Sequence, residues 1–234
     1  MSNPYFQFKQ FTVRHDLCAM KVGTDGALLG AWTNCFDAKA ILDAGTGSGL
    51  IALMLAQRSD AFIDAIDRDE NACRQAEINF SLSPFASRFR VFCQDFLQYC
   101  PEKPYDLIVF NPPYFINSLK SPDKQRTTAR HADELSLNGW LEKSYQLLSA
   151  GGRLSLIFPA DHFDSVRDIA VQTGFHLTRK TAVSAIENRP PKRVLLEYAK
   201  TFVRLAGNEI FIEKSDHSYS EEYKTLMKAY YLKM

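Results

Sequence analysis

The five cysteines include no C-x-x-C pair, and no histidine stands at zinc-finger spacing. The pattern predicts neither a structural metal nor a disulfide framework, and an odd set of thiols fits a reducing, cytoplasmic compartment. No stretch reaches 18 apolar residues, so no membrane-crossing helix is expected. The opening MSNPYFQFKQ has no basic segment followed by an apolar run, and does not read as a secretory leader. Charge of one sign is also missing: 28 Lys and Arg against 27 Asp and Glu give a net +1. That excludes a uniformly basic nucleic-acid binder but not a local basic face. Internal repeats and low-complexity segments are absent. What is present, 46% hydrophobic and 24% charged residues in a chain of 234, is the composition of a globular protein.

Short apolar runs alternate with helical patterns. Strands are predicted at 40–44, 62–66, 88–92, 105–110, 154–158, 177–183 and 193–198. Helices are predicted at 49–57, 71–80, 140–148 and 164–173, the third stopped by Ala150-Gly151-Gly152. This alternation predicts an α/β, Rossmann-like fold: a seven-stranded, mostly parallel sheet with helices on both faces. Only residues 184–192 separate the last two strands, too few for a parallel crossover. They are expected to form a terminal hairpin with one antiparallel strand. Three parts follow: an N-terminal segment and cofactor lid (1–38), the α/β domain (39–202), and a C-terminal appendage (203–234). The appendage carries a short strand candidate at 209–212, a capping box from Ser218 to Glu221, and a stripe of Tyr223, Leu226, Met227, Tyr230 and Tyr231 that should pack on the main domain.

Asp43-Ala44-Gly45-Thr46-Gly47-Ser48-Gly49 joins the first predicted strand to its helix. Such a turn lets a ligand approach the backbone. Gly45-x-Gly47-x-Gly49 departs from the dinucleotide pattern G-x-G-x-x-G, and Asp43 would repel a pyrophosphate. It suits a ligand with an ammonium group, such as S-adenosylmethionine. Asp67 ends the second strand, where a carboxylate accepts from both ribose hydroxyls. Asp95 follows the third, placed to accept from an adenine amine with Phe96 against the ring. Three acids at successive strand ends share the carboxyl edge, where open sheets bind ligands.

Asn111-Pro112-Pro113-Tyr114 follows the fourth strand. The prolines fix the backbone and leave carbonyls free to accept, Asn111 adds an amide oxygen and Tyr114 a flat face. Such a loop holds a planar –NH2 group and stacks the ring or amide that carries it. Acceptors on both hydrogens favour a pyramidal, nucleophilic nitrogen, so a methyl-transfer site is expected.

With these residues the chain resembles class I S-adenosylmethionine-dependent methyltransferases of the Asn-Pro-Pro-Tyr type. It is similar in particular to the bacterial tRNA-valine adenine N6-methyltransferases, which modify the adenine 3′ of the anticodon. The likeness spans about residues 10–200. It rests on Phe8-Lys9-Gln10-Phe11, on His15-Asp16-x-Cys18-Ala19-Met20-Lys21-Val22-Gly23-Thr24-Asp25-Gly26-x-Leu28-Leu29-Gly30-Ala31-Trp32, on Leu53-Met54-Leu55-Ala56-Gln57-Arg58 and on Arg193-Val194-Leu195-Leu196. The resemblance implies that Lys21 to Asp25, with Gly23 and Thr24 between them, close over the methionine end of the cofactor. It also implies that Asn111 to Tyr114 hold the target adenine of a tRNA anticodon loop.

Two basic loops flank the expected pocket. One carries Lys120, Lys124, Arg126 and Arg130, the other Arg189, Lys192 and Arg193, and both suit a phosphate backbone. Tyr5, Phe6, Phe8 and Phe11 read as a lid on the core, with stacking on unpaired bases as the alternative. The competing enzymes are a protein glutamine-amide methyltransferase and another nucleic-acid amine methyltransferase. A domain that has lost activity and serves as an adaptor is disfavoured by the intact acids and the Asn111 loop. No metal and no protein partner are predicted.

Overall fold

A computed structural model describes residues 3–18, 20–112 and 137–234. Strands β1 (Tyr5–Gln7) and β2 (Thr12–Arg14) make an antiparallel hairpin. After α1 (Thr24–Trp32) come β3 (Ala40–Ala44), α2 (Leu50–Ala56), β4 (Phe62–Asp67), α3 (Glu70–Ser81), β5 (Phe89–Cys93) and β6 (Tyr105–Phe110). Helix α4, described over 137–147, runs directly into β7 (Leu148–Pro159). The remainder is α5 (Phe163–Thr173), β8 (His176–Ile186), β9 (Arg193–Ala199), β10 (Ala206–Glu213) and α6 (Glu221–Met227).

The main sheet is ordered β10-β8-β9-β7-β6-β3-β4-β5, and only β9 runs against the rest. The expected terminal hairpin is therefore β8–β9. Among the described residues the main sheet has eight strands rather than the expected seven, because β10 pairs in parallel with β8 at the sheet edge. Its first four residues are exposed, so only its end, the strand candidate at 209–212, reads as a strand in sequence. The expected glycine stop is also corrected. Gly151 and Gly152 lie within β7, and a Cβ on Gly152 would come within 2.8 Å of the Tyr105 carbonyl oxygen. The cap of α6 is Ser220, whose Oγ accepts from the Tyr223 N–H at 3.0 Å. Ser218 instead turns the chain on Asp216.

Alternation along the strands divides the core. Ile41, Ile63, Leu107, Val109, Ile157 and Leu195 face α1, α2 and α6, whereas Leu42, Ile66, Ile108, Leu154, Leu156 and Leu196 face α4 and α5. Every residue of α2 is buried. It lies under a layer made by the two ends of the described chain. The Tyr230 hydroxyl donates to the Met54 carbonyl at 3.0 Å, and the Lys9 N–H donates to the Tyr230 carbonyl at 2.8 Å. Phe8 and Phe11 are buried there, Phe8 against Tyr231, as the lid reading expects, whereas Tyr5 and Phe6 are exposed.

Strand order reverses between β3 and β6: from β3 the chain builds outward through β4 and β5, then returns to β6 and builds the other way. The crevice at the carboxyl ends of such a pair is the usual ligand site of an open α/β sheet.

Candidate active site

The loop from β3 to α2 holds Gly45, Gly47 and Gly49 at φ of 71°, 54° and 80°, a region that disfavours side chains. The Gly45 and Thr46 N–H groups donate to the Ile66 carbonyl at 2.8 and 3.0 Å, tying the loop to β4. A Cβ on Gly49 would meet Phe80 at 2.5 Å, so that glycine is needed for packing. Among the described residues, a Cβ at Gly47 would meet nothing within 4 Å, and this part of the loop borders open space.

Asp43 lies under the loop, 1% exposed. Its Oδ2 accepts from the Thr46 hydroxyl at 2.8 Å and from the Ala52 N–H, in the first turn of α2, at 3.1 Å. Its Oδ1 is buried with no hydrogen-bond partner among the described residues. Burial pushes the carboxyl up from the ordinary 3.8 to about 7, against the pull of those two bonds. The sequence reading set this residue against an ammonium group; the structure makes it the support of the glycine turn.

Asp67 does face the loop. Its Oδ2 accepts from the Gly47 N–H at 2.9 Å and its Oδ1 from the Asp69 N–H at 3.0 Å. Asp95 caps a short 3-10 turn through the Leu97 N–H at 2.9 Å. The expectation for Phe96 is corrected, because its ring is 3% exposed and stacked on Trp140 at 4.4 Å. Trp140 in turn stacks on Phe110 at 4.0 Å and reaches within 3.9 Å of a Cβ built on Gly45. Trp140 thus floors the crevice between the glycine loop and the end of β6.

Asn111 and buried Pro112 leave β6 at the same edge. A Cβ on Gly26 would come 3.8 Å from Asn111 Nδ2 and 3.1 Å from Leu50 Cδ2, so the first turn of α1 sits on both the Asn111 side chain and the start of α2. Gly23 is the N-cap of α1, and Lys21, Gly23 and Thr24 are exposed just before or at its start. Pro113, Tyr114, Lys120, Lys124, Arg126 and Arg130 lie outside the described residues. On the β8–β9 hairpin, Arg189 and Lys192 are exposed. Arg193 is committed instead to Asp25 of α1, Nε to Oδ2 at 2.8 Å, a partner the sequence reading did not foresee.

The crevice thus combines open backbone at Gly47, a carboxylate at Asp67, an orphaned buried oxygen at Asp43 and an amide at Asn111. This donor set fits an adenosyl amino acid such as S-adenosylmethionine. A family model described as methyltransferase small domain matches residues 23–164. A protein of Parabacteroides distasonis described as tRNA1(Val) (adenine(37)-N6)-methyltransferase is 51% identical, with 100% of each chain covered. The chain belongs to this methyltransferase family. Another tRNA1(Val) (adenine(37)-N6)-methyltransferase, from Trichodesmium erythraeum, is 44% identical, again over 100% of each chain. Among solved structures, a predicted O-methyltransferase from Agrobacterium tumefaciens superposes with a TM-score of 0.70 at 17% identity, covering 88% of this chain and 96% of the other, and so shares the fold.

Two features of this methyltransferase were not legible as site residues. Trp140 sits in an ordinary amphipathic helix pattern, and only the stack with Phe96 and Phe110 brings it to the crevice. Asn79, 1% exposed on α3, donates to the Ser48 carbonyl of the glycine loop and to the Arg14 carbonyl, both at 2.8 Å. A polar residue on the buried face of a predicted helix was the available signal.

Proposed function

We infer that the protein is an S-adenosylmethionine-dependent tRNA methyltransferase. It acts on the exocyclic N6 of an adenine, the one 3′ of the anticodon in valine tRNA, and so works in the cytoplasm. The observation that carries this reading is the placement of Asn111 at the end of β6, against the first turn of α1 and across the switch point from the glycine loop. Full-length similarity to the tRNA1(Val) (adenine(37)-N6)-methyltransferases supports the substrate.

S-adenosylmethionine, when bound, supplies an electrophilic methyl group on a sulfonium. The chain's own residues bind and orient. Asp67, already held by Gly47 and Asp69, accepts from ribose hydroxyls, and Asp95 marks the adenine end. Lys21, Gly23 and Thr24 line the methionine end. The Asn111 amide oxygen and the Pro112 carbonyl accept the two hydrogens of the target amine, which turns its lone pair out of conjugation with the ring. Pro113 stiffens the loop, and Tyr114 stacks on the base. The base must leave its neighbours to reach this crevice, which costs least in an unpaired loop. Arg189 and Lys192, with Lys120, Lys124, Arg126 and Arg130 of the loop after the motif, contact the phosphate backbone. No metal and no protein partner enter this reading.

Single-turnover methylation of unmodified tRNA, with nucleosides resolved by mass spectrometry, tests it. Wild type should yield N6-methyladenosine. Asn111→Ala should lower the rate roughly 100-fold, the scale of one well-placed polar group in a transition state, while cofactor binding survives. Label on protein glutamine instead of RNA would leave the amine-holding loop standing and remove tRNA as the substrate.

A further inference from the structure

The residue that ties the β8–β9 hairpin to α1 has no role yet in this reading. Arg193 opens β9, beside the end of β7 and the end of β8. Its guanidinium meets Asp25 in the first turn of α1, Nε to Oδ2 at 2.8 Å, with the two side chains only 33% and 22% exposed. Its Nη1 also donates to the Lys192 carbonyl at 3.0 Å, and that carbonyl accepts the Ala160 N–H at 3.1 Å. Arg193 therefore fixes the hairpin base and reaches across to α1. The next residue of α1 after Asp25 is Gly26, whose missing side chain lets the helix rest on Asn111 and Leu50. One short path thus runs from the hairpin, through Arg193 and Asp25, to the residue that holds the target amine.

We propose that Asp25 and Arg193 are positioning residues: their ion pair sets the first turn of α1 against Asn111, and makes the seating of RNA on the hairpin felt at the reacting end of the crevice. The inference rests on the tRNA reading and moves Arg193 from the phosphate contacts to the support of the site. A half-buried pair serves this purpose better than a fully exposed one, because a strut must hold one geometry and screening is weaker where water has only partial access.

The experiment compares wild type, Asp25→Asn, Arg193→Gln and the double variant. With tRNA as substrate, Asp25→Asn should lower kcat roughly 10- to 100-fold, the scale of a small misplacement at a reacting centre. KM for tRNA and the salt dependence of tRNA binding should hold. In the Arg193→Gln background, Asp25→Asn should cost nothing further, and Asp25→Glu should retain more activity than Asp25→Asn. Amide exchange at Ala27, whose N–H donates to the Gly23 carbonyl at 3.2 Å, should quicken in both single variants. This second readout needs no substrate. If wild type leaves tRNA unmethylated, the functional reading falls while the exchange data still decide the strut. Unchanged exchange in both single variants would overturn it. So would a flattened salt dependence with Arg193→Gln beside a silent Asp25→Asn, since that makes Arg193 a phosphate contact.

Discussion

Asp43 is a carboxyl whose surroundings favour the proton. Burial is the main cause, the nearby Asp67 charge adds to it, and the bonds from Thr46 and Ala52 oppose it. The folded chain holds the proton until about pH 7, the unfolded chain until about 3.8. The stability from this group is therefore whole below about pH 3.8 and is lost as the pH rises through about 7. Thermal or urea unfolding from pH 4 to 8 should show it. Wild type should lose on the order of a few kcal/mol relative to Asp43→Asn across the window, since each tenfold change in proton affinity is worth about 1.4 kcal/mol. Parallel pH curves for the two proteins would mean that Asp43 titrates like a free aspartate. At this scale the sequence located the acid but not its bonds to Thr46 and Ala52. The glycine spacing marks the turn, but whether the carboxylate looks into the crevice or under the loop depends on Thr46 and Ala52 folding back onto it. Phe96 is similar: its ring is claimed by Trp140, 44 positions along the chain and invisible to local spacing.

Helix α3 shows the limits of pattern at the scale of an element. Ala72, Ala76 and Phe80 mark its buried stripe, and the predicted 71–80 is nearly its full length. Gln75 and Asn79 share the buried side, where a period count scores them as mismatches. The Asn79 amide in fact behaves as a strand neighbour to β2, accepting the Arg14 N–H at 2.9 Å while donating to the Arg14 carbonyl. Gln75 Oε1 accepts the Leu17 N–H at 2.9 Å. The helix thereby holds the N-terminal segment and the glycine loop together. Asn79→Ala leaves the buried Ser48 carbonyl without this partner, at about 1–3 kcal/mol, and removes the part-buried bonds to Arg14 as well. It should lower unfolding stability by several kcal/mol and speed exchange at the Arg14 amide, and cofactor affinity should fall with it. Normal exchange at Arg14 in a folded Asn79→Ala variant would show that the clamp is dispensable.

For the whole molecule, the strands between β3 and β9 were legible because helices cover both faces and leave near-continuous apolar runs such as Leu107 to Phe110. The ends were harder. β10 is an edge strand with exposed residues, and the role of the tail depends on which face of α2 is left bare. Tyr223, Met227 and Tyr230 fill that face in the same core as Leu53 and Met54. Tyr230→Ala should cost about 3–5 kcal/mol, as for other large aromatics removed from a core, and lower the melting temperature accordingly. Tyr230→Phe, losing the bond to the Met54 carbonyl, should cost about 0.5–1.5 kcal/mol. Equal melting temperatures for all three proteins would place the tail outside the cooperative unit.

The contact of Lys9 with Tyr230 also bears on how the protein is made. The N-terminal hairpin leaves the ribosome early, yet the tail part of the surface it rests on arrives more than two hundred residues later. Until then the part of α2 that Tyr223, Met227 and Tyr230 cover stays bare on a nascent chain whose strands are already made. Synthesis therefore passes through a stage in which the catalytic edge has its strands but the opposite flank has no roof, a natural moment for chaperone capture.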